Sequence, residues 1–251
     1  MHAEYYLQTG SISPRIPSDS LVSSDHVFFM MMAFMSCALI GSYTNDIGGY
    51  SLTGFFSYNS DLIGGGLMVR ESRAVADLLL SNADEGQWHQ AIIIDNRLQK
   101  NRPATAKRAG QAIRKRLEKL EPPFWQALRD GDDQLATQVS FCAAMARNLL
   151  LVEFLESVVA DAFLTQAEAL QAYQWDEFLA ERAHRDEAIA GWAESSKRKM
   201  GQVVYRMLTE VGVLASSRSR KLQPLLLRPE VKSLLETYQH VRLSACCRQL
   251  R

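Results

Sequence analysis

From Val69 onward the apolar positions of this chain recur at the three-to-four-residue step of helices, whereas the text before Asn59 shows no such step. Ala74, Val75, Leu78 and Leu79 define one buried face over Glu71–Leu80. Asp84, with Gln87 three residues later, predicts a capping box that opens a helix carrying Trp88, Ala91, Ile92 and Ile94. The turn Asn101–Pro103 breaks the pattern. A residue before proline is steered out of the helical region, while proline itself suits a first helical turn, so the next helix is expected from Pro103 to about Leu120. Pro122–Pro123 stops it, and a short segment with Phe124, Trp125 and Leu128 runs to Gly131. Asp132 is then expected to cap a long apolar helix through Leu135, Val139 and Ala143.

Two more helices are expected between Asn148 and Met200. Thr165 with Glu168 reads as a second capping box, and Trp175, Phe178, Leu179, Ile189 and Trp192 form stripes that suit a core. Lys197–Glu210 is predicted helical and Gly212 ends it. Val213–Leu227 holds two apolar pieces around the polar turn SSRSRK, the outline of a helix followed by a hairpin, with Pro224 at an edge or strand end. The expected fold is therefore mainly α: a helical bundle with a helix-turn-helix-like unit and a small winged-helix-like C-terminal section. The sections expected are 1–57, 58–194 and 195–251.

Residues 1–57 are rich in Ser, Gly and Tyr, hold one basic residue, Arg15, and contain the 14-residue apolar run Val27–Ile40. A helix needs about 20 apolar residues to cross a hydrocarbon core, so a membrane role is not expected. Asp19 and Asp25 precede the run and no small-residue cleavage site follows it, against a secretory signal. The stretch reads as a loosely ordered extension or a start assigned upstream of the real domain.

The four cysteines (Cys37, Cys142, Cys246 and Cys247) and five histidines are scattered without metal-ligand spacing, which suits a reduced, cytoplasmic protein. Ile63–Leu67 (IGGGL) lacks the Lys-Ser/Thr ending of a phosphate-binding loop and reads as a flexible turn. No nucleophile elbow or metalloprotease motif is present, so neither catalytic residues nor a cofactor or metal is assigned, and no enzyme is expected.

Charge changes this bland picture. The 28 Lys+Arg and 28 Asp+Glu cancel in sum, which argues against indiscriminate polybasic binding. Along the chain they are segregated. Arg97–Leu120 holds nine basic residues and one acid, Ser195–Arg228 holds eight and one, and Leu150–Glu194 carries ten acids against two arginines. On a helical wheel Lys107, Arg108, Arg114, Lys115, Arg116 and Lys119 occupy one half, opposite Ala106, Ala109, Ile113, Leu117 and Leu120. With the preceding helix and turn this forms a helix-turn-helix candidate whose Thr105 and Lys107 stand where base or phosphate contacts usually fall. The DNA-binding residues expected are Arg102, Thr105, Lys107, Arg108, Arg114, Lys115 and Arg116 on one surface. A second surface is expected from Lys197, Arg198, Lys199, Arg218, Arg220 and Lys221. The alternative is a solvated basic face paired with the acidic middle section.

The markers YNSDLIGGGLMVRESRAVADLLL, IIIDNRLQKNRPATAKRAGQAIRKRLEKL, DDQLATQVSF and LVEFLESVVADAF, within Tyr58–Phe163, resemble the BrxA family of bacterial BREX phage-defence systems. KMGQVVYRMLTEVGVL and LQPLLLRPEVKSLL are similar to the end of those proteins, so the likeness spans about 58–236, with RPATAKR its most specific element. The resemblance implies a small helical double-stranded DNA-binding protein, likened to the antitermination factor NusB, that works beside a methyltransferase, an ATPase and a phosphatase-like component. The family has also carried the label of an inner-membrane protein, which the helices here do not support. Family members usually begin near YNSDLIGGG, so residues 1–57 depart from the pattern and the family supplies no role for the apolar run. Two other readings stay open: a protein-interaction adaptor that docks other defence components, and an RNA-binding subunit.

Overall fold

Caps and prolines set most helix starts in the structure, a computed structural model that describes residues 58–251; the expectations for residues 1–57 lie outside the described residues. Helix α1 is Val69–Leu80 and α2 is Glu85–His89. The box expected at the start of α2 is formed: Asp84 Oδ1 accepts from the Gln87 amide at 2.8 Å, and Gln87 Oε1 from the Asp84 amide at 2.8 Å. A π-helical turn, Gln90–Ile94, continues α2. It buries Ala91 and Ile92 but leaves Ile94, expected on the same stripe, 60% exposed. Helix α3, Pro103–Leu117, starts on its proline and stops three residues short of expectation. The helix is already closed at Glu118, and the diproline expected to end it instead supplies the first turn of α4, Pro122–Asp130. Asp132 accepts from the Leu135 amide at 2.8 Å and opens α5, Asp133–Arg147.

Helix α5 is the centre of the fold. Ala136, Val139, Phe141, Cys142, Ala143, Ala144 and Met145 are all buried, and a helix apolar on every side must be surrounded. Helices α1, α3 and α4 pack on it. Asn148, itself buried, accepts from the Leu151 amide and starts α6, Leu149–Phe154, which a π turn, Leu155–Val159, joins to α7, Ala160–Leu164. The expected box at Thr165 and Glu168 is not formed. Thr165 instead closes α7, with its hydroxyl donating to the Asp161 carbonyl, because the apolar stripe carries the helix through to Leu164.

Helix α8, Gln174–Ala183, and α9, Glu194–Glu210, follow. Their aromatic residues are core: the Phe154 ring meets those of Trp175, Phe178 and Tyr205 edge-on at 5.2, 5.3 and 6.1 Å. Gly212, at φ +88°, ends α9. Its amide donates to the Thr209 carbonyl and that of Val213 to the Leu208 carbonyl, the pairing of a left-handed helix stop.

The expected hairpin is reduced to isolated antiparallel bridges, Leu214 with Leu222 and Ala169 with Lys221. Hydrogen bonds from Ala215 to Lys221 and from Gln223 to Val213 hold the turn 216–220, and Pro224 follows the last of them, where no amide is required. Helices α10, Pro229–Thr237, and α11, Val241–Gln249, close the chain, and Val231, Leu235, Cys246, Cys247 and Leu250 join the same core. Among the described residues no single helix is long and apolar enough to cross a membrane, and no group of residues could hold a metal ion.

Candidate nucleic-acid interface

The turn before α3 is stapled to α1. Leu98 is fully buried, Asn96 bonds both the amide and the carbonyl of Lys100, and two ion pairs, Arg97 with Asp77 at 2.9 Å and Lys100 with Glu71 at 2.6 Å, fix its ends. Burial acts to raise the Glu71 carboxyl, but the hydrogen bond from Lys100, a backbone hydrogen bond and the charges of Lys100 and Arg70 together outweigh it and hold the group below its ordinary range. The start of α3 is thereby placed as a rigid edge, with Arg102 exposed at its cap and Thr105 half-buried beside it around an open hollow of about 480 Å³.

Along α3 the basic residues have different fates. Ala106, Ala109, Ile113 and Leu117 are buried against the core, and Lys107, Arg108, Lys115 and Lys119 are exposed. Arg108 and Lys115 border one shallow depression with Gln111. Arg114 is engaged: it bonds Glu118 at 2.8 Å and Glu85 at 3.0 Å, which hold its guanidinium firmly charged, and it lies 4.6 Å over the Trp88 ring. Arg116, expected on the phosphate-facing surface, turns inward. Its side chain is buried, and one guanidinium nitrogen donates to the Gly66 carbonyl at 3.0 Å. Burial lowers its pKa, opposed by the charges of Asp61 and Glu210. The reason is register: Arg116 sits three residues after Ile113 and so falls on the buried stripe.

The glycine run proves to be a structural crossing. Asp61–Gly64 forms a 3-10 turn, Gly65 takes φ +108°, and Gly66 lies so close to α9 that a Cβ would collide with the Glu210 carboxylate, which accepts from the Leu67 amide at 2.6 Å. Arg116 on one side and Glu210 on the other pin this loop between α3 and α9.

The second basic surface divides in the same way. Arg198, Lys199 and Arg218 are exposed. Lys197 pairs with Glu194 at 2.8 Å and Lys221 with Glu168 at 2.7 Å, both carboxylates of the acidic middle section. The Arg220 guanidinium donates from Nε to the Leu170 carbonyl at 3.1 Å and lies 5.6 Å from the Tyr205 ring centre. Burial pushes the Tyr205 phenol up to about 12, so it stays a neutral donor, to the Gln171 carbonyl. Arg206 completes this surface: it lies on α9 two turns after Arg198, and that spacing marked it in the sequence.

Beside the basic row, α2 and α3 enclose a groove of about 450 Å³ floored by Trp88, Ile92, Ile93 and Gly110. Glu85, His89, Lys107, Gln111 and Arg114 also line it, so an apolar floor is bordered by polar and charged groups.

A sequence profile of the BrxA family matches residues 57–239. The BREX protein BrxA of Paramagnetospirillum magneticum (strain AMB-1) is 40% identical over 178 residues, which span 71% of this chain and 89% of that protein. That of Escherichia coli O9:H4 (strain HS) is 36% identical over 176 residues, 70% of this chain and 83% of that one. The crystal structure of an uncharacterized protein from Magnetospirillum magneticum has the same architecture, with a TM-score of 0.71 at 36% identity over 77% of this chain and 99% of that one.

Proposed function

The chain belongs to the BrxA family and is a component of a BREX antiviral defence system, and from that premise we propose that it is a non-catalytic cytoplasmic subunit that grips duplex DNA by its phosphates. The observation that carries this reading is the outer edge of α3. Of the nine cations in 97–120, Arg97, Lys100 and Arg114 are paired and Arg116 is buried, whereas Arg102, Lys107, Arg108, Lys115 and Lys119 are exposed and have no carboxylate within ion-pair distance among the described residues. The acidic middle section does not neutralise them; its carboxylates pair with Arg182, Lys221 and Arg242 instead.

Five uncompensated cations along α3 and its two ends, with Thr105, form a phosphate-contacting strip about 25 Å long from Arg102 to Lys119 at 1.5 Å per residue, roughly three-quarters of a helical repeat of DNA. Arg198, Lys199, Arg206 and Arg218 form the second strip, at the helix and turn of the winged-helix-like section, with Lys197, Arg220 and Lys221 behind them. The subunit would serve beside the methyltransferase, ATPase and phosphatase-like components of the system.

Competition of a labelled duplex with unlabelled duplex and with single-stranded and structured RNA of the same sequence tests this. Duplex DNA is expected to compete best; preference for RNA would move the same strips to an RNA-binding role. The groove between α2 and α3, with its floor of Trp88, Ile92 and Ile93, favours a second reading as a docking surface for another defence component. Co-purification of such a component without any DNA affinity would support that reading over the first.

A further inference from the structure

Between α8, α9 and the turn 216–220 lies a hollow of about 510 Å³ whose wall carries three guanidinium groups, Arg198, Arg206 and Arg220, and one carboxylate, Asp176. The ion pairs of this section engage Lys197, Lys221 and Arg228 instead, which leaves the hollow with an excess of two positive charges. Like charges gathered in a concavity repel one another, and an anionic ligand relieves that cost.

The wall is also built to hold its shape. Gly201 packs so closely on Trp175 that a Cβ would lie 2.6 Å from the indole, and the indole nitrogen donates to the Lys197 carbonyl at 3.0 Å, which locks α9 against α8. Arg220 holds a left-handed backbone, φ +50°, and spends Nε on the Leu170 carbonyl, so its two terminal nitrogens are held ready for a ligand. Ser217 and Gln202 add a hydroxyl and an amide to the same wall.

Guanidinium forks match phosphate oxygens, and the volume falls in the range of small-molecule sites, about 300–1,000 Å³. Charge selects the kind of phosphate. An internal phosphodiester carries one negative charge, whereas a terminal phosphate carries about −1.5 to −2 near neutral pH and matches the excess of two. We propose that this hollow binds a terminal phosphate group, a phosphomonoester or phosphoanhydride end, supplied by a free nucleotide or by the 5′ end of a nucleic-acid strand. The site takes Arg198 and Arg206 from the second strip and so rests on the proposed function, but it stands apart from the α3 strip, which meets internal phosphodiesters.

Calorimetric titration of the full chain with pyrophosphate and with ADP tests the site, alongside anisotropy titration of one duplex bearing either a 5′-phosphate or a 5′-hydroxyl. The double variant Arg198→Gln, Arg206→Gln should keep the thermal midpoint, because both side chains lack structural bonds, and should bind pyrophosphate at least about tenfold more weakly. A preference for the 5′-phosphorylated duplex that disappears in the double variant assigns the strand end as the source; ADP binding without that preference assigns the free nucleotide. The variant Lys107→Glu, Arg108→Glu, Lys115→Glu should retain pyrophosphate binding, so failure of the hollow and failure of the α3 strip give different results. Absence of heat with pyrophosphate and ADP together with equal affinity for the two duplexes would overturn the proposal, as would unchanged binding in the double variant.

Discussion

Lys115 and Arg116 are neighbours on α3, one exposed and one buried, and alanine at each position should produce opposite results. Arg116→Ala removes the donor to the Gly66 carbonyl, leaving a buried acceptor unsatisfied at about 1–3 kcal/mol. It also strips two buried methylenes of the side-chain stem, Cγ and Cδ, about 0.8 kcal/mol each. Release of the desolvated guanidinium returns part of this, so the net cost is about 3 kcal/mol. A chain of this size loses roughly 2–4 °C of midpoint per kcal/mol, which gives a fall of about 6–12 °C by scanning calorimetry. Duplex affinity measured well below that midpoint should be unchanged. Lys115→Ala should leave the midpoint unchanged and reduce the salt slope of duplex binding by about one. If Arg116→Ala melts like the wild type but binds DNA more weakly, the inward placement of that guanidinium, and the reasoning built on it, is wrong.

Gly201→Ala sets a methyl group against the Trp175 ring and should destabilise the chain by about 1–3 kcal/mol, measured by urea denaturation; a neutral result would show that α9 and α8 are not in close contact. Glu71 has a folded-state pKa below its ordinary 4.5, so its stabilising contribution is full above that pH and is lost as pH falls through the folded value. The midpoint difference between wild type and Glu71→Gln should therefore be largest near neutral pH and shrink below about 4.5, and a difference that grows in acid would contradict the Lys100 pairing. Cys142, Cys246 and Cys247 are buried, so in a Cys37→Ser background a thiol reagent should label none of them until denaturant is added. Rapid labelling of the folded protein would place α11 away from α5.

What could be read from the sequence was what is decided within a few residues. The Asp84–Gln87 box, the Asp132 cap, the proline start of α3 and the Gly212 stop all depend on bonds between positions two to five apart, and all are present. The Thr165 box misled because the same residue type can close a helix by bonding back to its carbonyls, and the apolar stripe before it decided between the two. Arg116 was legible in principle, since Ala106, Ala109, Ile113 and Leu117 already marked the stripe it shares; counting it among its charged neighbours hid its spacing. The remaining division of the cations was not legible. Whether Arg97 and Lys100 face solvent or a carboxylate depends on Asp77 and Glu71, which lie 20 and 29 positions away and come together with them only through packing; Arg114 pairs with Glu118 four residues on as well as with distant Glu85. The pinning of the glycine loop by Glu210, 143 positions distant, is likewise a product of tertiary structure.

The central claim, that the exposed row on α3 grips duplex phosphates, is met most directly by the salt dependence of duplex affinity for the wild type and for the variant Lys107→Glu, Arg108→Glu, Lys115→Glu, Lys119→Glu. All four positions are exposed, so the variant should fold as the wild type does. The account predicts a steep wild-type dependence, with a logarithmic slope of about −0.9 per phosphate neutralised, and a variant that has lost at least about four units of that slope together with nearly all affinity at 150 mM salt. Equal slopes and equal affinities for the two proteins would contradict it.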